Sequence, residues 1–257
     1  MIKIPLRTRL QEGPVLATFA GLAAPSAVEV LAWSGFDTVC VDAEHSALDP
    51  STLAGAVRAG DAAGCDVLVR VPELGADVGR ALDLGAAGIV VPRVENAAQA
   101  EAAVAAVRYP PRGARGAGPG RAARYGATIP QVVATADKRV VLALQVETRR
   151  GVEAVGDIAA VDGVDVLFVG PGDLAVSLGA PPGSAEHDAA VTRVLDAARD
   201  AGRHAGIFCR DPEQAGRYAA LGVRLLVLGS DAGFLTAAAT TVHQRARAAL
   251  AAGRVDA

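Results

Sequence analysis

Eight times along this chain a short apolar run ends in a turn and hands over to a helical stretch. The runs lie at residues 15–19, 38–41, 67–71, 88–91, 140–144, 166–169, 205–209 and 225–228. Each is too short for a helix, rich in Val, Leu and Ile, and bounded by turn residues, so each reads as a buried strand. The stretches between them read as helices at 25–33, 49–63, 76–84, 97–107, 129–136, 151–160, 185–201, 212–221 and 231–252. Pro25 and Ser26 open the first of these and Gly35 closes it, Asp49 or Ser51 caps the next, and Asn96 caps the helix at 97–107. Strands alternating with helices predict a parallel sheet covered by helices. Eight such units in 257 residues, with no linker between them, predict one closed (β/α)8 TIM barrel spanning residues 1–257, since about 250 residues is typical of that fold. Residues 253–257 read as a loose end.

Composition matters where it narrows the chemistry. Hydrophobic residues make up 51% and aromatics 4%, so the core is built from small aliphatic side chains, as suits parallel strands. A net charge of −3 with dispersed signs offers no basic face for nucleic acid. Cys40, Cys65 and Cys209 are scattered and odd in number, which predicts buried free thiols. Residues 1–14 show no apolar leader and no run is long enough to span a bilayer, so a cytoplasmic protein with no membrane partner is expected. Lysine occurs only at Lys3 and Lys138. Lys138 precedes the fifth strand, at the opposite end from the strand tips, and Lys3 lies in the leading segment. A Schiff-base lysine and pyridoxal chemistry are therefore not expected.

Working groups in such barrels gather at the C-terminal ends of the strands. Strand two ends in Asp42-Ala43-Glu44-His45, strand three carries Arg70, strand five ends in Gln145-Val146-Glu147, and strand six runs into Gly170-Pro171-Gly172-Asp173. Glu147 and Asp173 are carboxylates at neighbouring strand tips, a pair able to share a hard divalent cation. Spacing alone leaves a metal pair and two solvated loop acids equally open. His45 alone reads as a surface histidine and Arg70 alone as half of an ion pair; their shared end of the barrel argues for a site. Residues 109–126 break the rhythm. They hold Pro110, Pro111 and Pro119, five glycines, and Arg112, Arg115, Arg121 and Arg124. A loop this long is usually functional or mobile, here a flap over the mouth, a subunit contact, or both.

Taken in order, Phe36-Asp37, Val41-Asp42-Ala43-Glu44-His45, Val69-Arg70-Val71-Pro72, Leu82-Asp83-Leu84-Gly85-Ala86, Arg108-Tyr109-Pro110-Pro111-Arg112-Gly113-Ala114-Arg115-Gly116, Gln145-Val146-Glu147-Thr148 and Phe168-Val169-Gly170-Pro171-Gly172-Asp173-Leu174 resemble the HpcH/HpaI family of metal-dependent, class II pyruvate aldolases, typified by 4-hydroxy-2-oxoheptanedioate aldolase. The resemblance covers nearly the whole chain. It implies a hexamer built as three dimers and a divalent metal, Mg²⁺ or Mn²⁺ with Co²⁺ or Zn²⁺ as alternatives, on Glu147 and Asp173. It further implies that pyruvate chelates the metal, with Gln145 in the substrate site and the backbone at Gly172 and Asp173 receiving the carboxylate. By the same resemblance Arg70 stands beside the keto oxygen, His45 is the acid–base group, Asp83 orients it, and Asp42 holds a metal-bound water. The substrates implied are pyruvate, an aldehyde and a 4-hydroxy-2-oxo acid. Arg93 departs from the pattern, which has an apolar residue there; facing the mouth it would meet an acidic aldehyde tail, and otherwise it is a surface or subunit-contact arginine. Phe208-Cys209-Arg210 ends strand seven near the acceptor side.

Three other readings compete. One is a related lyase acting on malyl or citramalyl thioesters, although no additional adenine-binding segment is visible. Another is a phosphosugar barrel using Leu228-Gly229-Ser230-Asp231 as a phosphate cradle. The third is a keto-acid-binding barrel without turnover.

Overall fold

The computed structural model describes residues 4–252. Eight parallel strands close into a barrel in chain order: β1 (Val15–Ala20), β2 (Thr38–Asp42), β3 (Asp66–Arg70), β4 (Gly88–Val91), β5 (Val141–Val146), β6 (Val166–Val169), β7 (His204–Cys209) and β8 (Leu225–Ser230). The seam between β8 and β1 pairs Ala17 with Val227 and then Phe19 with Ser230, a slip of one residue at the mouth. The covering helices are α2 (Pro25–Trp33), α3 (Pro50–Ala62), α4 (Ala76–Leu84), α5 (Ala97–Val107), α6 (Ile129–Arg139), α7 (Arg149–Glu153), α8 (Val155–Ala160), α9 (Pro171–Leu178), α10 (Ala185–Asp200), α11 (Pro212–Ala220) and α12 (Asp231–Ala252). They follow α1 (Leu6–Glu12), which precedes the barrel.

Side chains alternate along each strand, so one set faces the barrel axis and the other faces the helices. Val39, Val41, Val67, Val69, Ile89, Val91, Leu142, Leu144, Leu167, Val169, Ile207 and Leu226 belong to the outer core against the helices. Val15, Ala17, Phe19, Cys40, Leu68, Val90, Val141, Ala143, Val166, Phe168, Leu225 and Val227 form the inner core with Leu6 and Leu10. Helix α1 is thus the plug at the strands' N-terminal end, and each fully buried leucine contributes about 1.5–3 kcal/mol. Gly206 makes room for the Phe168 ring in the lumen: a Cβ there would lie 2.8 Å from Phe168 Cδ2.

The structure departs from the sequence reading in four elements. The leading segment contains α1, the helix expected at 151–160 is broken into α7 and α8, the helix expected at 129–136 runs on to Arg139, and α9 follows β6 directly. The N-cap expectations hold at two sites. Asp49 accepts from the N–H of Ser51 and Thr52, and Asn96 accepts from that of Gln99.

The strands' N-terminal end is held by a buried polar cluster. Arg108 Nη2 donates to Asp165 Oδ2 at 2.6 Å and to the Gly163 carbonyl at 2.9 Å. Asp165 also accepts the Leu142 N–H and pairs with Arg7. This conservative use of a buried charge, in which every oxygen is bonded, avoids the penalty of an isolated ion. Cys40 and Cys209 are buried free thiols, and Cys65 is buried as well. Among the described residues no helix is long and apolar enough to cross a membrane.

Candidate active site

The same alternation that builds the inner core carries polar groups into the mouth. Two residues beyond lumen-facing Cys40 comes Asp42, two beyond Leu68 comes Arg70, and two and four beyond Ala143 come Gln145 and Glu147. All four are buried, at 8%, 8%, 1% and 2% exposure. Burial of that degree separates Glu147 from a solvated loop acid, whereas Asp173, the other carboxylate of the expected pair, is exposed.

Arg70 is fixed on both sides. Its Nε and Nη2 donate to Asp42 Oδ1 and Oδ2 at 3.0 and 2.7 Å, a bidentate pair. The guanidinium carbon lies 4.5 Å over the Phe19 ring, and that ring packs on Phe208 with centroids 6.0 Å apart. Phe208, at the end of strand seven, thus belongs to the aromatic floor beneath Arg70. Asp42 Oδ1 also accepts the N–H of Glu44 and His45, which shapes the turn after β2. Burial alone would raise the Asp42 carboxyl. The hydrogen bonds and charge of Arg70, with the two N–H donors, outweigh it and hold the group below the usual carboxylate range. Cys40, directly beneath, is pushed up to about 12 by burial and stays a thiol.

Glu147 is in the opposite situation. Burial raises its carboxyl above the ordinary value, and the charges of Asp173 and Glu44 push it further. Only the Gln145 amide and the Arg93 backbone N–H act against that. Gln145 Nε2 donates to Glu147 Oε2, and the Arg93 N–H donates to Oε1 at 2.9 Å. To present that N–H, Arg93 adopts φ +51°, a conformation that costs a non-glycine residue about 1–2 kcal/mol. Its side chain turns to the site, Nε standing 3.8 Å from Glu44 Oε1, and remains 64% exposed. Glu44 itself is raised by burial despite the charges of Arg70, His45 and Arg93.

These groups suit a hard divalent cation. Glu147 is a desolvated carboxylate facing further negative charge, and Gln145 Oε1 and Glu44 Oε2 are buried oxygens without hydrogen-bond partners. Excess buried oxygen and negative charge is the donor chemistry of Mg²⁺ or Mn²⁺. Among the described residues no cluster of three or more His, Cys, Asp or Glu side chains converges as a complete cage. Two carboxylates are what the chain offers. Asp173 is exposed in the first turn of α9, and its N–H and that of Gly172 are first-turn donors of that helix.

His45 and Asp83 are not brought together within one chain. The His45 side chain is 59% exposed, and its nearest carboxylate is Glu44, with Nε2 3.7 Å from Oε2. Asp83 instead accepts from Arg115 Nη2 at 2.9 Å. The reason is topological. Asp83 closes α4, which starts at the strand tips and runs back nine residues, about 13 Å, towards the strands' N-terminal end. Within one chain Asp83 is therefore not placed to orient His45. The 109–126 segment sits on that same far side, between α5 and α6, so it is no flap over its own mouth. It is fastened to the end of α4: Arg115 is buried over the Tyr109 ring at 4.7 Å, and Arg121 Nη1 donates to the Leu84 carbonyl at 3.0 Å.

Asp42 binds Arg70 through both of its oxygens, and Oδ2, which accepts only from Arg70 Nη2, keeps a lone pair to which a water could donate. The phosphate cradle at 228–231 is filled from within. The buried Asp231 carboxylate accepts the N–H of Gly21 and Leu22 at 3.0 Å each and of Ala232 at 2.7 Å, leaving an anion where a phosphate would go. Lys138 lies in α6, before β5; Lys3 lies outside the described residues. Sequence reasoning placed Glu44 at the right strand tip but gave it no role. It missed the Arg93 N–H altogether, since a left-handed backbone at an arginine leaves no sequence signal.

Comparison with known proteins agrees with this architecture. The HpcH/HpaI aldolase/citrate lyase family matches residues 16–238. Hydroxypyruvate/pyruvate aldolase of Roseovarius nubinhibens is 38% identical over 247 residues, covering 94% of this chain and 93% of that protein. 4-Hydroxy-2-oxovalerate aldolase of Novosphingobium aromaticivorans is 40% identical over 240 residues, covering 88% and 87%. The crystal structure of an HpcH/HpaI aldolase/citrate lyase family protein from Burkholderia cenocepacia J2315 superposes with a TM-score of 0.88 at 38% identity, covering 94% of this chain and 98% of that one. With a closed eight-stranded barrel and a family match over most of its length, this chain belongs to the HpcH/HpaI aldolase/citrate lyase family.

Proposed function

We propose that the protein is a divalent-metal-dependent aldolase that interconverts a 4-hydroxy-2-oxo acid with pyruvate and an aldehyde. The observation that carries this reading is the desolvated Glu147 carboxylate, facing the charges of Asp173 and Glu44 at the mouth that also holds the rigid Arg70–Asp42 pair. Glu147 and Asp173 would hold Mg²⁺ or Mn²⁺, which supplies Lewis-acid stabilisation of charge on the keto oxygen. The aldolases among the relatives support the same chemistry.

The chain's own groups divide the remaining work. Asp42 binds the Nε and Nη2 edge of Arg70, leaving Nη1 to donate to the keto oxygen as negative charge develops there. The guanidinium cannot swing away, because Phe19 backs it. The first-turn N–H groups of Gly172 and Asp173 receive the substrate carboxylate, favoured by the helix dipole. The amide of Gln145 holds Glu147 in place. His45 takes the proton from the 4-hydroxyl as the C3–C4 bond breaks; the bonding pair moves into the enolate of pyruvate, and protonation at C3 completes the product. Within the chain Glu44 is the carboxylate beside that imidazole.

The test is pyruvate release from 4-hydroxy-2-oxovalerate and 4-hydroxy-2-oxoheptanedioate in the presence of Mn²⁺. Wild type is expected to cleave at least one. His45→Ala is expected to retain metal binding and to lose about 10²–10⁴-fold in rate, the usual contribution of a general base. Wild-type rates from His45→Ala would remove the role given to His45. Cleavage of malyl or citramalyl thioesters alone would replace the aldolase reading with the thioester lyase.

We also propose that the working form is an oligomer, supported by α12. This helix has 22 residues, of which Asp231 alone is buried. Leu235, Val242 and Leu250 are 61%, 68% and 64% exposed. A second copy of the chain is the occupant that would cover them, and an assembly is also what Asp83 needs to reach an imidazole.

A further inference from the structure

We propose that His187 is a positioning residue for the metal and keto-acid site, setting the place of Asp173 through the first turn of α9; this rests on the aldolase reading above. Helix α9 has eight residues, too few to be stable alone, so outside contacts decide where it lies. Two side chains grip its ends. At the far end Arg149 donates from Nη2 to the Leu178 carbonyl at 3.0 Å and to Glu186 Oε1 at 2.8 Å, and its backbone N–H donates to Ser177 Oγ at 3.0 Å. At the near end His187, on α10 and 4% exposed, places Nε2 3.0 Å from the Pro171 carbonyl.

A carbonyl only accepts, so Nε2 carries the proton and donates. Pro171 is the first residue of the helix and Asp173 the third. A bond to Pro171 therefore fixes the turn that presents the Asp173 carboxylate and the Gly172 and Asp173 N–H groups. Retaining a histidine there has a cost. Its Nδ1 is buried without a hydrogen-bond partner, with Asp188 Oδ1 3.5 Å away. An apolar side chain of similar volume would fill the space between α9 and α10 without that penalty. What the imidazole adds is the directed bond to Pro171. Ser184 Oγ, capping α10, accepts the His187 N–H at 3.3 Å and seats the residue at the start of its own helix. Groups hydrogen-bonded to a ligand itself typically change metal affinity about 10–100-fold when removed; His187 acts through the backbone two residues before Asp173, so the low end of that range is expected.

The full-length chain is compared with His187→Gln, whose amide nitrogen reaches as far as Nε2, and His187→Asn, whose amide does not. Mn²⁺ affinity is measured by electron paramagnetic resonance, and hydrogen exchange is followed in residues 171–178. His187→Asn is expected to weaken Mn²⁺ binding about 10-fold and to speed exchange in α9, and His187→Gln to restore both to near wild type. Wild-type affinity in both variants would overturn the proposal, as would loosened α9 with unchanged Mn²⁺ affinity, or equal damage from Gln and Asn. If wild type binds no Mn²⁺ at all, the aldolase reading fails; the exchange comparison then decides by itself whether His187 positions α9.

Discussion

Glu147 shows how a single residue carries function against stability. Its folded carboxyl titrates above its ordinary value, because burial and the charges of Asp173 and Glu44 oppose ionisation. The folded state therefore binds the extra proton. The penalty is absent below about pH 4.3, grows as pH rises towards the folded value, and is complete above it. Metal-free protein should lose stability with rising pH across that window. Glu147→Gln removes the charge while keeping an acceptor for Gln145 and Arg93. It is expected to raise the Tm of chelator-treated protein at pH 7, to flatten the pH slope, and to abolish Mn²⁺ binding. Calorimetry from pH 5 to 8 checks it, and a less stable Glu147→Gln in chelator would contradict it. At this scale the sequence was legible where residue type and strand position coincide: Asp42, Arg70, Gln145 and Glu147 all follow from counting by two along a strand. Arg93 was not, because its contribution is a backbone N–H in a left-handed conformation.

Among the elements, the junction of β6 and α9 is the most exacting. Gly170 sits where a Cβ would lie 2.5 Å from Glu147 Oε2 and 2.9 Å from Gln145 Nε2. Its value is close approach, letting the Glu147 carboxylate rest against the turn that presents Asp173. Gly170→Ala must displace Glu147, at a cost of about 1–3 kcal/mol for overpacking. A folded protein with Mn²⁺ affinity reduced at least about 10-fold is expected; wild-type affinity by titration would show that the contact gives way freely. The sequence showed Gly-Pro-Gly-Asp as a turn and hid the helix behind it. Two glycines and a proline argue against helix until the first-turn exception for proline is recognised. α1 was hidden for a related reason, its two buried leucines being too few to mark a period. The 109–126 loop was visible as an anomaly, but which side of the barrel it occupies follows from connectivity, as an αβ connection opening at the strands' N-terminal end.

At the scale of the molecule, the barrel was legible because eight aliphatic runs and their helices leave one economical closure. What covers α12 was not legible, because exposure is a property of the folded chain. If a second copy covers it, light scattering should report at least twice the chain mass, and Leu235→Arg with Val242→Arg should lower the assembly state. A monomeric wild type at micromolar concentration would contradict the oligomer. The fold gathers Asp42, Glu44, Arg70, Gln145 and Glu147 at one mouth, with the other end closed by α1 and the Arg108–Asp165–Arg7 cluster. The proposed activity requires this mouth to form the enolate of pyruvate when a divalent metal is present. The most direct measurement is proton–deuterium exchange at the pyruvate methyl group in D₂O, followed by NMR on chelator-treated protein with and without Mg²⁺ or Mn²⁺. It requires no knowledge of the aldehyde. The predicted result is exchange that depends on added metal and is lost in Glu147→Gln. Folded wild-type protein that gives no exchange with either metal would contradict the account.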